Sequence, residues 1–326
     1  MRLIGLFTSI LLLIGSTNIA NSVKWGFYAH MTINKIAVFT LPAEMIGFYK
    51  HHLTYITENA VNPDKRRYAI KEEAPRHYID LDVYGDSAVY TMPRYWDDAV
   101  TKFTEDTLQT YGIVPWHINR VHYQLIDAMR IKDPLAILRI SADLGHYIAD
   151  ANVPLHTTEN YNGQLTNQRG IHGFWESRLP ELFMNDYDLF TGKAKFLDNV
   201  QLAAWNAVTN AHLALDSVLT FEKELSEKTN ADKKYTYEQR GQTTVKTYSK
   251  NYSQAYHNRL NHMVERQMKA SIQMVGDVWY TCWVNAGQPD LQNIIGVELT
   301  EEQRLVLKKE LEEWKNEVFK SRDHEH

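Results

Sequence analysis

The 326-residue chain has one cysteine, Cys282. That excludes an intrachain disulfide and any zinc finger built on thiolates. Glycine and proline are sparse, at 15 and 9 residues, and mostly fall between apolar-periodic segments, as at Pro93, Pro115, Pro134 and Pro154. Basic residues are not in surplus: 35 Lys and Arg face 40 Asp and Glu, for a net charge of -5. No basic field argues for a stable nucleic-acid partner, although an enzyme can still act on nucleic acid through bound metal. Past the N-terminus, no segment reaches the roughly 18 apolar residues a membrane span needs. GxSxG, GxGxxG, Walker and HExxH motifs are all missing, which removes the usual serine-hydrolase, dinucleotide, nucleotide-loop and zincin readings.

What is present reads as helix. At 44% hydrophobic and 23% charged, the chain has material for a sizeable core in one large domain. Segments 95–111, 116–131, 135–149, 200–225 and 252–284 place apolar residues three and four apart, and alternating strand patterns are scarce. The expectation is an all-α fold, a single multi-helix domain over about 25–290. Arg2, the apolar run Leu3 to Gly15 and the small polar stretch to Ser22 have the layout of a secretory signal peptide over 1–24. An exported protein, periplasmic or extracellular, follows. The polar stretch 226–250 reads as a solvated insertion or helix extension. Thr300 and Gln303 fit a capping box opening a charged amphipathic helix over about 298–320.

The 14 histidines carry more information than the missing cysteines. In His146-Tyr147-Ile148-Ala149-Asp150 the His and Asp stand four apart, on one face of a helix. His156 follows after Pro154, and His172-Gly173-Phe174-Trp175-Glu176 repeats the spacing. Imidazole and carboxylate are the ligands zinc accepts where no thiolate is available. One such pair is commonly a surface hydrogen bond. Two pairs bracketing a third histidine point to metal. Asp150, placed among several histidines, has oxygens enough to bridge two ions.

Taken in order, Trp25-Gly-x-x-x-His30, Asp64-x-x-Arg67, His77-x-x-Asp80, His146-Tyr-x-x-Asp150-x-x-x-Pro154-Leu-His156 and His172-x-x-x-Glu176 form a pattern. It resembles the zinc-dependent phospholipase C and single-strand nuclease superfamily. The motifs cover about 25–180, and the remaining helices match only in character. The resemblance implies an all-α fold with three zinc ions in a cleft. Asp64, His77, His146 and Asp150 would hold the first, and His156, His172 and Glu176 the second. His30, Asp150 and the amine and carbonyl of an N-terminal Trp25 would hold the third. Asp64 would orient or deprotonate the attacking water, and Arg67 would contact phosphate. The implied activity is phosphodiester hydrolysis, on a phospholipid head group or on single-stranded nucleic acid or nucleotide.

Several features depart from that pattern. Signal-peptidase sites after Ala20 or Ser22 leave Trp25 short of the first position, so the third zinc needs further trimming or another ligand. The Trp-Gly-x-x-x-His opening and the Asp-x-x-Arg block look nuclease-like, whereas Glu176 and the short 156–172 spacing look phospholipase-like. Tyr28, Tyr161 and Trp175 are candidates to stack on a head group or base. Asp80-x-Asp82-x-x-Gly85 lacks the remaining acids of a calcium loop and fits turn capping, with Asp80 a candidate partner for a metal histidine. A zinc-binding module without catalysis, or a helical scaffold with structural histidines, are the rival readings.

Overall fold

A computed structural model describes residues 26–297 and 300–316. The expected signal peptide over 1–24, Trp25, and the part of the expected C-terminal segment past Asn316 lie outside the described residues. The protein is predominantly helical with one small two-stranded sheet. No helix among the described residues is long and apolar enough to cross a membrane.

Three helices frame the site: Gly26–Ala37, Val114–Arg130 and Pro134–Ala151. The last two begin with proline in the first turn, where the missing N–H has no partner to lose, and Asp133 caps Pro134–Ala151 by accepting from the backbone N–H groups of Leu135 and Ala136. Val200–Glu227 and Met263–Asn285 close the rest of the bundle. One hydrophobic cluster runs continuously from Ala29 to Leu291. At its centre Trp279 stacks on Tyr49 at 5.0 Å, and both tie to Ser141: the indole N–H donates to its carbonyl and the phenol meets its hydroxyl at 2.9 Å.

Two glycines let helices touch. A Cβ on Gly145 would lie 2.0 Å from Asn34 Oδ1, and one on Gly276 the same distance from Thr40 Oγ1. Asn34 in turn donates to the carbonyl of Ala142 at 3.0 Å, locking the His30 helix against the His146 helix. Gly145→Ala is therefore expected to destabilise the protein by about 1–3 kcal/mol through overpacking. Thermal unfolding checks this, and an unchanged Tm would contradict the close approach.

The helical segments differ from the sequence pattern at two places. Segment 95–111 breaks at Thr104 (φ 66), which caps Glu105–Tyr111. Segment 252–284 breaks at Asn261 and His262, both at positive φ, into Lys250–Arg259 and Met263–Asn285. Apolar periodicity continues across both breaks because the buried face does.

The larger difference is at 226–250. Only its start extends a helix. Tyr235–Arg240 and Thr243–Tyr248 form an antiparallel hairpin, with Arg240 opposite Thr243 across a Gly241-Gln242 turn. Gly241 takes φ 60, the sign a two-residue hairpin turn needs. Thr, Tyr and Val favour strand here, and Tyr248 is the buried anchor, its ring stacked on Phe174 at 3.8 Å. The C-terminal helix Glu301–Glu313 opens with both halves of the expected capping box. It rests on the bundle through Arg139 to Glu310 at 3.6 Å and Arg66 over the Trp314 ring.

Candidate metal centre

Each ligand candidate arrives on a different short element. His30 projects from the first helix, Asp64 from Asn62–Arg66 just after Pro63, and His77 ends the turn Ala74–His77. His146 and Asp150 share a face of Pro134–Ala151. Pro154 ends that helix, and His156 follows on a single 3-10 turn. His172 and Glu176 straddle the junction of one α-turn and the π-helical turn Phe174–Arg178, a widened turn of the kind common at functional sites.

All eight residues converge and are buried, none more than 8% exposed. Asp150 lies at the middle. Its Oδ2 is 2.9 Å from His77 Nδ1 and 3.1 Å from His146 Nε2, and its Oδ1 is 3.4 Å from His156 Nδ1 and 3.6 Å from His30 Nε2. Glu176 reaches His172 Nε2 at 2.8 Å, His30 Nε2 at 3.2 Å and His156 Nε2 at 3.5 Å. The donors fall into four overlapping groups able to hold a metal ion: His77, His146 and Asp150; His156, His172 and Glu176; His30, Asp150 and Glu176; and His30, Asp64 and His146.

The donor chemistry fits a cation. His146 Nδ1 donates to the carbonyl of Ala60 at 2.8 Å, which leaves Nε2 as a lone pair. That lone pair stands 3.0 Å from His77 Nδ1. His156 Nδ1 likewise sits 2.9 Å from the carbonyl of His77, while Nε2 faces His172 Nε2 at 2.9 Å. Nitrogen atoms this close repel unless a proton or a cation lies between them. A histidine that donates one N–H to a backbone carbonyl and turns the other nitrogen inward has the arrangement of a metal ligand.

Electrostatics agree. Burial would raise Asp150 and Glu176, yet the surrounding histidines outweigh it and hold both well below the usual carboxylate range. Burial likewise opposes ionisation of Asp64, and Arg67 with His146 and His77 overcomes it. Burial lowers the pKa of His146 and of His172. His30 and His77 resist burial through hydrogen bonds to Glu176 and to Asp150 and Glu73, and both rise to about 9. At pH 7 the metal-free centre therefore carries protons on His30 and His77 that a metal must displace. Zinc binding at pH 7 is expected to release about two protons per chain, and affinity should climb as pH rises toward 9. Calorimetry in buffers of different ionisation heat measures this directly. Zero release would contradict the assignment of these two histidines.

Arg67 lies beside the ligands, its Nη1 3.1 Å from Asp64 Oδ1 and its guanidinium over the Tyr68 ring. Trp25 lies outside the described residues. Of the stacking candidates, Trp175 is buried in the core, Tyr161 stands edge-on to His172, and Tyr28 is exposed. Asp82 caps a turn, accepting from Thr158 Oγ1 at 2.6 Å and from the backbone N–H of Glu159. The carboxylate beside His77 Nε2 is that of Glu73, 3.7 Å away.

Glu73 is the residue sequence reasoning missed. It is fully buried and receives Arg66 Nε at 3.0 Å, Arg76 Nη1 at 2.7 Å and the Tyr147 hydroxyl, with His77 Nε2 3.7 Å away. Arg66 also grips Asp143 with two bonds. This network aims His77 Nδ1 at Asp150. The spacing of four between Glu73 and His77 was a usable signal.

Compared with protein-family models and with curated proteins, the chain matches none.

Proposed function

We propose that the protein is an exported zinc-dependent phosphoester hydrolase that cleaves phosphodiester bonds with an activated water. The observation that carries the reading is the convergence of five histidines and three carboxylates in one buried cluster, with facing imidazole nitrogens 2.9 and 3.0 Å apart.

The first zinc would be held by Asp64, His77, His146 and Asp150, the second by His156, His172 and Glu176, and the third by His30 and Asp150 with an N-terminal Trp25. Bound zinc supplies Lewis acidity, neutralising the charge of a phosphodiester and acidifying water to near neutral pH. The protein's own groups do the rest. Asp64, kept ionised by Arg67, His146 and His77 against burial, would accept a proton from an attacking water. Arg67 keeps a permanent positive charge beside it, and its buried Nε has no acceptor among the described residues, so it can donate to a phosphate oxygen. The buried walls exclude bulk water and strengthen each of these interactions.

A generic aryl phosphodiester tests the class, and phosphatidylcholine against single-stranded DNA tests the branch. The expected result is turnover that a chelator removes and added zinc restores. Metal binding without turnover of any phosphoester would instead support a non-catalytic zinc-binding module.

A further inference from the structure

The hairpin at 235–248 lines a cavity of about 220 Å³ beside the turns that carry His172 and Glu176. Gly173, Phe174 and Ser177, which alternate with the ligand residues along those turns, form its floor. Four cations reach it: Arg169, Arg178, Arg240 and Lys246. In a chain of net charge -5 this is a local reversal of sign.

The cations are of two kinds. Arg178 is 4% exposed and fixed, donating Nε to the carbonyl of Tyr248 at 3.1 Å and pairing with Glu181 and Glu238. Arg240 pairs with Glu181 at 2.9 Å. Two carboxylates thus offset two guanidinium groups. Arg169 and Lys246 form no ion pair among the described residues, and Lys246 stands over the Tyr235 ring at 4.2 Å. The remainder is a surplus of two positive charges around a small concave space that Ser177 also lines.

We infer that this cavity is an anion site, separate from the metal cluster, that takes the phosphate group of a phosphomonoester or free phosphate. Guanidinium and ammonium groups match phosphate oxygens in charge and hydrogen bonding, and Arg169 and Lys246 are the two cations of the lining that no carboxylate engages among the described residues. The site does not depend on the hydrolase reading. Under that reading, it would sense a phosphomonoester of the kind the reaction releases, through the turns bearing His172 and Glu176.

Titration calorimetry on the protein as purified tests this, using inorganic phosphate, glycerol 3-phosphate and a nucleoside 5′-monophosphate as probes. Wild type and His146→Ala should both bind inorganic phosphate, whereas the double variant Arg169→Glu/Lys246→Glu should bind at least about tenfold more weakly. Both substituted positions are solvent-exposed, so the Tm of the double variant should be unchanged. Tighter binding of glycerol 3-phosphate would assign a lipid-derived source, and tighter binding of the nucleotide a nucleic-acid source; equal binding of all three would assign free phosphate. Phosphate affinity lost in His146→Ala but kept in the double variant would place the anion on the metal cluster and overturn the proposal. So would the absence of phosphate binding to wild type.

Discussion

Asp150→Asn should lower phosphodiester turnover by roughly a thousandfold or more, since several kcal/mol of transition-state stabilisation depend on intact metal ligation. It should also strip metal. Asp150 belongs to two of the four ligand groups, and four histidines surround it within 3.6 Å. An amide in its place keeps the shape but offers one oxygen and no charge. The metal-free variant would also lose the main force keeping His77 protonated, because after burial the hydrogen bond to Asp150 is the leading influence on that ring. Turnover and metal content are measured on the same preparation. Wild-type values for both would remove Asp150 from the centre.

Glu73→Ala should cost about 3–5 kcal/mol of stability, the usual result of removing one partner from a buried ion pair. Arg66 would keep Asp143, but Arg76 and Tyr147 would face an empty site. Burial raises the Glu73 pKa, yet His77, Arg66 and Arg76 together hold it well below 4.5. A carboxylate with a depressed folded-state pKa stabilises above its unfolded value. The Glu73 contribution is therefore complete above about pH 4.5 and declines as pH falls further. Glu73→Gln separates the two roles of the residue. It keeps an acceptor for Tyr147 and should recover part of the stability, while zinc affinity stays about 10–100-fold weaker because the partner that orients His77 is uncharged. Urea unfolding and zinc titration of both variants check this. Full zinc affinity in Glu73→Gln would reduce Glu73 to a structural role.

The ligands were legible because most of them obey helix geometry. His146 with Asp150 and His172 with Glu176 are pairs four residues apart, and His156 is delivered by the proline that ends the helix. The π-helical turn at Phe174–Arg178 was not legible, since its widening leaves the apolar pattern intact. Glu73 is marked only by its spacing of four from His77, because it precedes a one-turn element with no periodic face. The hairpin was hidden by composition: its exposed strand residues are Tyr237, Gln239, Thr243, Thr244 and Lys246, and the burial that defines it rests on Tyr248 and on a partner 74 residues earlier, Phe174. Helix breaks at Thr104 and at Asn261 and His262 depend on positive φ in non-glycine residues, a choice made by tertiary packing. The fold class follows from periodicity, while the network behind the ligands depends on contacts distant in sequence.

The central claim is that the buried histidine and carboxylate cluster holds zinc. Elemental analysis of the protein produced by its natural route and purified without chelators measures zinc per chain. The account predicts about three ions, falling to about one or none in Asp150→Asn. Wild-type protein that is folded and free of zinc would contradict it and return the eight side chains to a structural role.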